Sequence, residues 1–275
     1  MIQEPMRFGI DAEQNFKMSD EQKPKEHSDV LREQLLEGLK ESDQSNTRLF
    51  LSAFIAGLEI GFTILIMGVL YTVLNPHYDK NVLHLIVSLG YPLGFIFVII
   101  GRSQLFTEQT ALAMVPMLNG NTSAGQLLRL WVVVFIGNVI GGILFSLLIT
   151  WIGPARGIIE LDTFSHFARA LIEPEWYVIL GSATLAGWMM GLLGWLVTTS
   201  QETVSRIFIV ILITAIIGAA KLHHCIVGSV ELFCGLLVGS VAPSEYGMVM
   251  VFAVLGNIIG GAIFVGALKY SVTKF

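Results

Sequence analysis

Charge is scarce in this chain. Only 13% of its 275 residues are charged, against 54% that are hydrophobic. Ordinary soluble domains carry about 25% charge, so the composition points to an integral membrane protein. The little charge present is unevenly spread. Residues 1–47 hold eleven acidic and six basic side chains and the remainder ten of each, so the formal net charge of −5 belongs to the leader. No basic surplus is left for nucleic acid. Cysteine is nearly absent. Cys225 and Cys234 both fall in apolar surroundings, where a disulfide is not expected. His223, His224, Cys225 and Cys234 have no metal-ligand spacing, because adjacent histidines on a helix diverge. Neither a metal nor another cofactor is expected. No nucleophile–base set and no nucleotide motif can be found, which argues against an enzyme. No signal peptide is expected, since the first apolar run begins near Leu49 behind a charged segment.

What the chain does have is apolar length. Residues 1–27 read as unstructured: polar, charged and without periodicity. From Ser28 to Glu41, Leu31, Leu35, Leu36 and Leu39 recur at helical spacing, with Ser28 or Asp29 as a cap. That predicts a short amphipathic helix on the membrane or under the bundle. Six hydrophobic segments follow: Leu49–Leu74, Val82–Leu118, Leu127–Gly153, Trp176–Thr199, Val204–Gly239 and Met248–Tyr270. About 20 residues cross a bilayer core, so the second and fifth are too long for one plain span. A mostly polar link, Pro154–Pro174, predicts a short interfacial helix. Arg32, Lys40, Arg48, Arg129, Arg206, Lys269 and Lys274 collect on one side, and Lys80, Arg156 and Arg169 on the other. That bias places both termini in the cytoplasm.

The fifth segment carries its own contradiction. Lys221, His223, His224 and Glu231 sit between two apolar runs, Ile207–Ala220 and Cys225–Val238. Ionisable groups at bilayer depth are costly and need protein or water around them. A broken helix lining a polar pathway answers that need. The break is doubled. Gly137-Asn138-Val139-Ile140-Gly141-Gly142 returns as Gly256-Asn257-Ile258-Ile259-Gly260-Gly261, an offset of 119 residues that lands Leu105 on His224. The second segment is interrupted there, over Gly101–Thr110. Two halves of three spans, each with a broken middle span, must enter the membrane from opposite sides. That is an inverted repeat. The asparagine–glycine elements read as helix packing, with Asn138 and Asn257 able to hydrogen-bond across it.

Candidate pathway residues follow from the two breaks. Leu105 and Phe106 offer a hydrophobic constriction that excludes hydrated ions. His224 is the natural titrating group, with Thr107 as its hydroxyl partner across the pseudo-axis. His223 is ambiguous. Lys221 either draws an anion into the mouth or neutralises Glu231 or Glu108. Glu59 and Glu231 line the pathway or make interhelical hydrogen bonds.

These residues resemble the formate/nitrite transporter family over roughly residues 45–272. Gly101-Arg102-Ser103-Gln104-Leu105-Phe106-Thr107 is similar to the family's Gly-x-x-Leu-Phe-Thr loop. His224-Cys225-Ile226-Val227 is similar to its His-Ser-Ile/Val-Ala/Val stretch, and the two Gly-Asn-x-x-Gly-Gly elements to the ends of its third and sixth spans. The resemblance implies an all-α integral membrane protein with six transmembrane helices. They would form an aquaporin-like 3+3 inverted repeat with broken second and fifth helices. It implies a homopentamer in membrane lipid, in the bacterial inner membrane, with one pore per protomer. The cargo would be a small monovalent anion such as formate or nitrite, or its acid. His224 would be the central histidine and Thr107 the loop threonine. Leu105 and Phe106, with Tyr91 and Phe95, would form the constriction. Gly187 and Gly228 stand where the family's usual asparagines fall, with the expectation that they widen the pore or alter its hydrogen bonding. The family's vestibule lysine, in the link before the fourth span, has no clear counterpart here, and Arg169 is the nearest cation. Glu108 and Glu231 add carboxylates that favour one alternative, a pore for a neutral or cationic solute such as ammonia; the other is a membrane scaffold or sensor whose acidic leader binds a cytosolic partner. The reading divides the chain into a cytoplasmic leader, 1–47, and a transporter domain, 48–275.

Overall fold

The computed structural model describes residues 25–274. The expected unstructured stretch falls, up to residue 24, outside the described residues. Every element among those described is helical.

The amphipathic helix α1 (His27–Ser42) starts one residue earlier than expected. Glu26 precedes it as N-cap without a side-chain bond, so neither Ser28 nor Asp29 caps it. Its buried stripe is Val30, Gln34, Gly38, Glu41 and Ser42, while Leu36 is 57% exposed. The helix therefore turns a small and polar face inward. It packs under the bundle, where Gly38 meets the Pro116 ring and the Leu112 carbonyl too closely to admit a β-carbon.

The first span is α2 (Asn46–Leu74), capped by Ser45. The second hydrophobic segment becomes four helices: α3 (Lys80–Ser88), α4 (Pro92–Gly101), α5 (Phe106–Leu112) and α6 (Met114–Leu118). The expected interruption lies at residues 102–105. A second bend, at 89–91, was not expected. Leu89 and Tyr91 keep helical dihedrals there, and Pro92 follows with no N–H to give to the turn before it. The third span, α7 (Ala124–Ala155), opens with a Ser123–Gln126 capping box and runs through Pro154, past the expected end at Gly153. The link carries α8 (Leu161–Ile172), and the fourth span is α9 (Trp176–Thr199). The fifth is the expected broken pair, α10 (Thr203–Ala219) and α11 (Cys225–Leu237). In the sixth, α12 (Pro243–Ile258) continues through a π-helical stretch, Ile259–Ala267, into α13 (Leu268–Lys274). Nothing in the sequence pattern signalled that widening.

Five of these units are long and apolar enough to cross a membrane: Asn46–Leu74, Lys80–Gly101, Ala124–Ala155, Trp176–Thr199 and Pro243–Val272. The fifth span crosses as two shorter apolar helices, Thr203–Ala219 and Cys225–Leu237. Large apolar side chains such as Ile55, Leu128, Leu144, Trp151 and Phe208 point outward, as lipid-facing surfaces require. Two helix pairs form the scaffold, α2 against α7 and α9 against α12. Glycine permits both. A β-carbon on Gly57 would lie 2.1 Å from the Asn138 carbonyl oxygen, and one on Gly187 2.3 Å from that of Asn257. The bundle thus has an α1 face and an opposite, α8 face.

Candidate permeation site

The two breaks are built alike. Arg102 and Lys221 end α4 and α10 in the left-handed region, at φ 58° and 51°. The next N–H, of Ser103 or Leu222, reaches back 3.0 Å to the carbonyl of Val98 or Ile217. That closure is normally made on glycine, and a bulky residue there is strained. The chain then runs extended into Leu105 and His224, the N-caps of α5 and α11.

Each break is held by one asparagine. Asn138 Oδ1 accepts from Phe106 N–H at 2.8 Å, and its Nδ2 donates to the carbonyls of Ala53 and Gln104, both at 2.8 Å. Asn257 Oδ1 accepts from Cys225 N–H at 2.8 Å, and its Nδ2 donates to Ala183 at 2.8 Å and His223 at 3.0 Å. Ser52 and Ser182 complete the pattern by accepting from the N–H groups of Gln104 and His223, each at 3.1 Å. Backbone freed from the helix at membrane depth must find such partners. The sequence marked these asparagines as helix packing. Their targets are main-chain groups on other spans, which no side-chain pattern reveals.

The breaks meet at His224 and Thr107, whose Nε2 and Oγ1 lie 2.8 Å apart. Val227 N–H donates to His224 Nδ1 at 3.2 Å. Nδ1 is therefore unprotonated, and Nε2 carries the hydrogen and donates to Thr107. In this arrangement the ring is neutral. Phe95 meets it edge-on, with ring centroids 5.1 Å apart, and Tyr91 stacks on Phe95 at 5.5 Å. Leu105, Thr107 and Phe95 are wholly buried, and His224 is 2% exposed. The centre is a buried, mostly apolar plug around one polar pair. Phe106 lies to the side, edge-on to Phe135 of α7.

On the α8 face a cavity of about 590 Å³ descends to this plug. His224, Gly228, Glu231 and Tyr91 are among the residues lining it, and Lys80, Arg169 and Lys221 are its cations. Thus Lys221 and Arg169 share one vestibule with Glu231, but no ion pair joins them among the described residues. Sequence reasoning missed His84 and His166, which also line the cavity. His166 stacks on Tyr71 at 4.4 Å, and burial, with Lys221 and Lys80 nearby, holds its imidazole below the usual range. His223 is occupied. Its Nδ1 lies 3.0 Å from Ser182 Oγ and its Nε2 3.2 Å from the Leu171 carbonyl.

Glu108 belongs to the other side of the plug. It feels Glu37 and Glu41 of α1. Gln109 Nε2 donates to Gln104 Oε1, Gln104 lies beside Glu41, and the Glu41 carboxylate accepts from Gln44 Nε2. Burial pushes the Glu41 carboxyl up. So Glu108 and Lys221 lie in different mouths, and a Lys221–Glu108 counter-ion pair does not form. Glu59 Oε2 is buried without a hydrogen bond.

The two glycine departures prove unlike. Gly187 is seated on the Asn257 backbone and matches Gly57, so it neither faces nor widens a pore. Gly228 does line the cavity, and a β-carbon there would meet only Leu171 Cδ1, at 3.5 Å.

A six-span bundle with paired broken helices, a vestibule and a buried polar window defines a membrane transporter. The family described as "Formate/nitrite transporter" matches residues 28–271. The chain belongs to that family, which comprises transporters and not enzymes. It is 30% identical over 231 residues to "Inner membrane protein YfdC" of Escherichia coli (strain K12), covering 82% of this chain and 72% of the relative. To "Formate channel FocA" of Haemophilus influenzae it is 26% identical over 260 residues, 84% of this chain and 89% of the relative. Among solved structures, an "FNT family ion channel" superposes with a TM-score of 0.80 at 18% identity, over 89% of this chain and 99% of that one. A "Pentameric formate channel with formate bound" superposes with a TM-score of 0.69 at 21% identity, over 84% and 98%. Both likenesses carry the fold.

Proposed function

We propose that this protein moves small monovalent anions, formate, nitrite or a similar short monocarboxylate, across the membrane together with a proton. The observation that carries this reading is the His224–Thr107 pair, 2.8 Å across and set in a plug that is otherwise apolar. A bare anion loses its hydration there at great cost, whereas its neutral acid loses little. An acid also brings one donor and one acceptor, which suit a window made of an imidazole and a hydroxyl. Lys80, Arg169 and Lys221 gather the anion in the vestibule. The anion is neutralised before the plug, passes Phe95 and Leu105, and exchanges hydrogen bonds with Thr107 and His224. The names of the relatives support this cargo, and the pentameric neighbour supports a homopentamer with one pore per protomer. The α1 face is cytoplasmic in this reading, the membrane is the inner one, and residues 1–47 form a leader to the transporter domain at 48–275.

The test is uptake into proteoliposomes holding a trapped pH indicator. His224→Ala and Thr107→Val change the rate and its dependence on external pH while the oligomer survives. Transport by His224→Ala with the parent pH profile would remove the histidine from the mechanism. Glu108 and Glu231, on either side of the plug and without a cation paired to them among the described residues, favour a second reading, a pore for a neutral or cationic solute such as ammonia. Internal pH changes driven by ammonium salts and not by anions would select it.

A further inference from the structure

His224, Gly228 and Glu231 form one stripe of α11, at i, i+4 and i+7, and all three line the vestibule. Two helical turns set Glu231 about 10 Å from His224 along the axis. The helix runs from the plug toward the α8 face, so an anion arriving from that face meets Glu231 first. Gly228 lies between them and leaves that stretch of wall bare.

Glu231 is 8% exposed. Its carboxyl makes no hydrogen bond or ion pair with any described residue. Its surroundings offer candidates that it does not use. From α3 the cavity receives Lys80 and His84, from α8 His166, Arg169 and Glu173, and from the end of α10 Lys221. Tyr71 comes from α2 and Tyr91 from α4. A buried carboxyl kept for structure is bonded to something. One that lines a cavity without a partner in the protein has the cavity's contents within its reach. Ionised, it would repel the anion that the rim cations collect. Protonated, it presents the single O–H that a carboxylate or nitrite oxygen accepts.

We propose that Glu231 is the proton donor of the pathway. The proposal rests on the anion reading above. The O–H bond of the Glu231 carboxyl breaks, and the proton passes to an oxygen of the permeant anion. The neutral acid moves past the bare wall at Gly228 to the His224–Thr107 window. Glu231 is left as a carboxylate and is reprotonated by water from the open vestibule, so one proton enters per anion. Glu231 is a different device from His224: it supplies the proton, and His224 with Thr107 passes the neutral product.

The experiment compares purified parent, Glu231→Gln and Glu231→Asp proteins in liposomes with a trapped pH indicator. Formate, nitrite, acetate and lactate are each presented at several external pH values, and size-exclusion chromatography checks that each variant keeps the parent's oligomer. The parent should acidify the lumen faster as external pH falls. Glu231→Gln, isosteric but unable to give up a proton, should lose at least tenfold in rate and lose the pH dependence. Glu231→Asp should restore a pH-dependent rate. Glu231→Gln with the parent profile would overturn the donor role, as would a rate that stays high and flat, since the carboxylate would then only repel. A parent that moves any of these anions while Glu231→Gln behaves identically sinks this proposal alone. A parent that moves no anion sinks the anion reading with it.

Discussion

Asn138 and Asn257 each bond three main-chain groups across a break, with every distance between 2.8 and 3.0 Å. Truncation would strand those buried groups, at about 1–3 kcal/mol each. Asn138→Ala and Asn257→Ala should therefore lower the thermal unfolding temperature in detergent by similar, large amounts. Near-parent stability in either would mean the break is held by other contacts. The glycines separate just as sharply. Gly187→Ala forces a β-carbon to 2.3 Å from a carbonyl oxygen and should cost about 1–3 kcal/mol or more, seen as lost oligomer on size exclusion. Gly228→Ala meets one methyl group at ordinary contact and should gain up to about 1 kcal/mol, since alanine is the better helix former. The residue types of the window were legible in the sequence, because the 119-residue offset pairs Leu105 with His224. The role of Gly187 was not. Its neighbour is backbone 70 positions away, and a pattern of side chains carries no record of that.

At the scale of elements, the breaks were legible and their surroundings less so. A run too long for one span, with polar residues in its middle, announced α4–α5 and α10–α11. The turn at 89–91 ahead of Pro92 and the π-helical stretch over Ile259–Ala267 were not expected. The leucines of α1 suggested an apolar face, yet the face it buries centres on Gln34, Gly38 and Glu41, because it fits closely against the Pro116 ring and the Leu112 carbonyl and lies beside Gln104. Burial raises Glu41 from its ordinary 4.5. Docked α1 then binds more protons than undocked α1, so docking is strongest at acid pH and weakens as pH rises through the shifted value. Hydrogen exchange of the α1 amides, corrected for intrinsic rates, should show protection falling from acid to neutral pH. Glu41→Gln should flatten that fall. Protection that is independent of pH in the parent would show that Glu41 does not sense the docking.

The whole molecule places two unlike mouths on one narrow plug. The α8 mouth has a deep cavity rimmed by cations, and the α1 mouth carries carboxylates and a helix. Homopentamer formation is expected as native mass spectrometry at five times the 30.1 kDa of one chain. A monomer active in liposomes would show that each bundle holds a complete pore without its neighbours. The central claim is that a small anion crosses with a proton through the His224–Thr107 window. Its most direct test is a substrate panel on the parent protein: formate, nitrite, acetate, lactate and ammonium salts, each presented to proteoliposomes at two external pH values. The account predicts internal acidification that saturates with at least one of the acids and grows at the lower pH. Alkalinisation by ammonium alone, with no response to any anion, would contradict it.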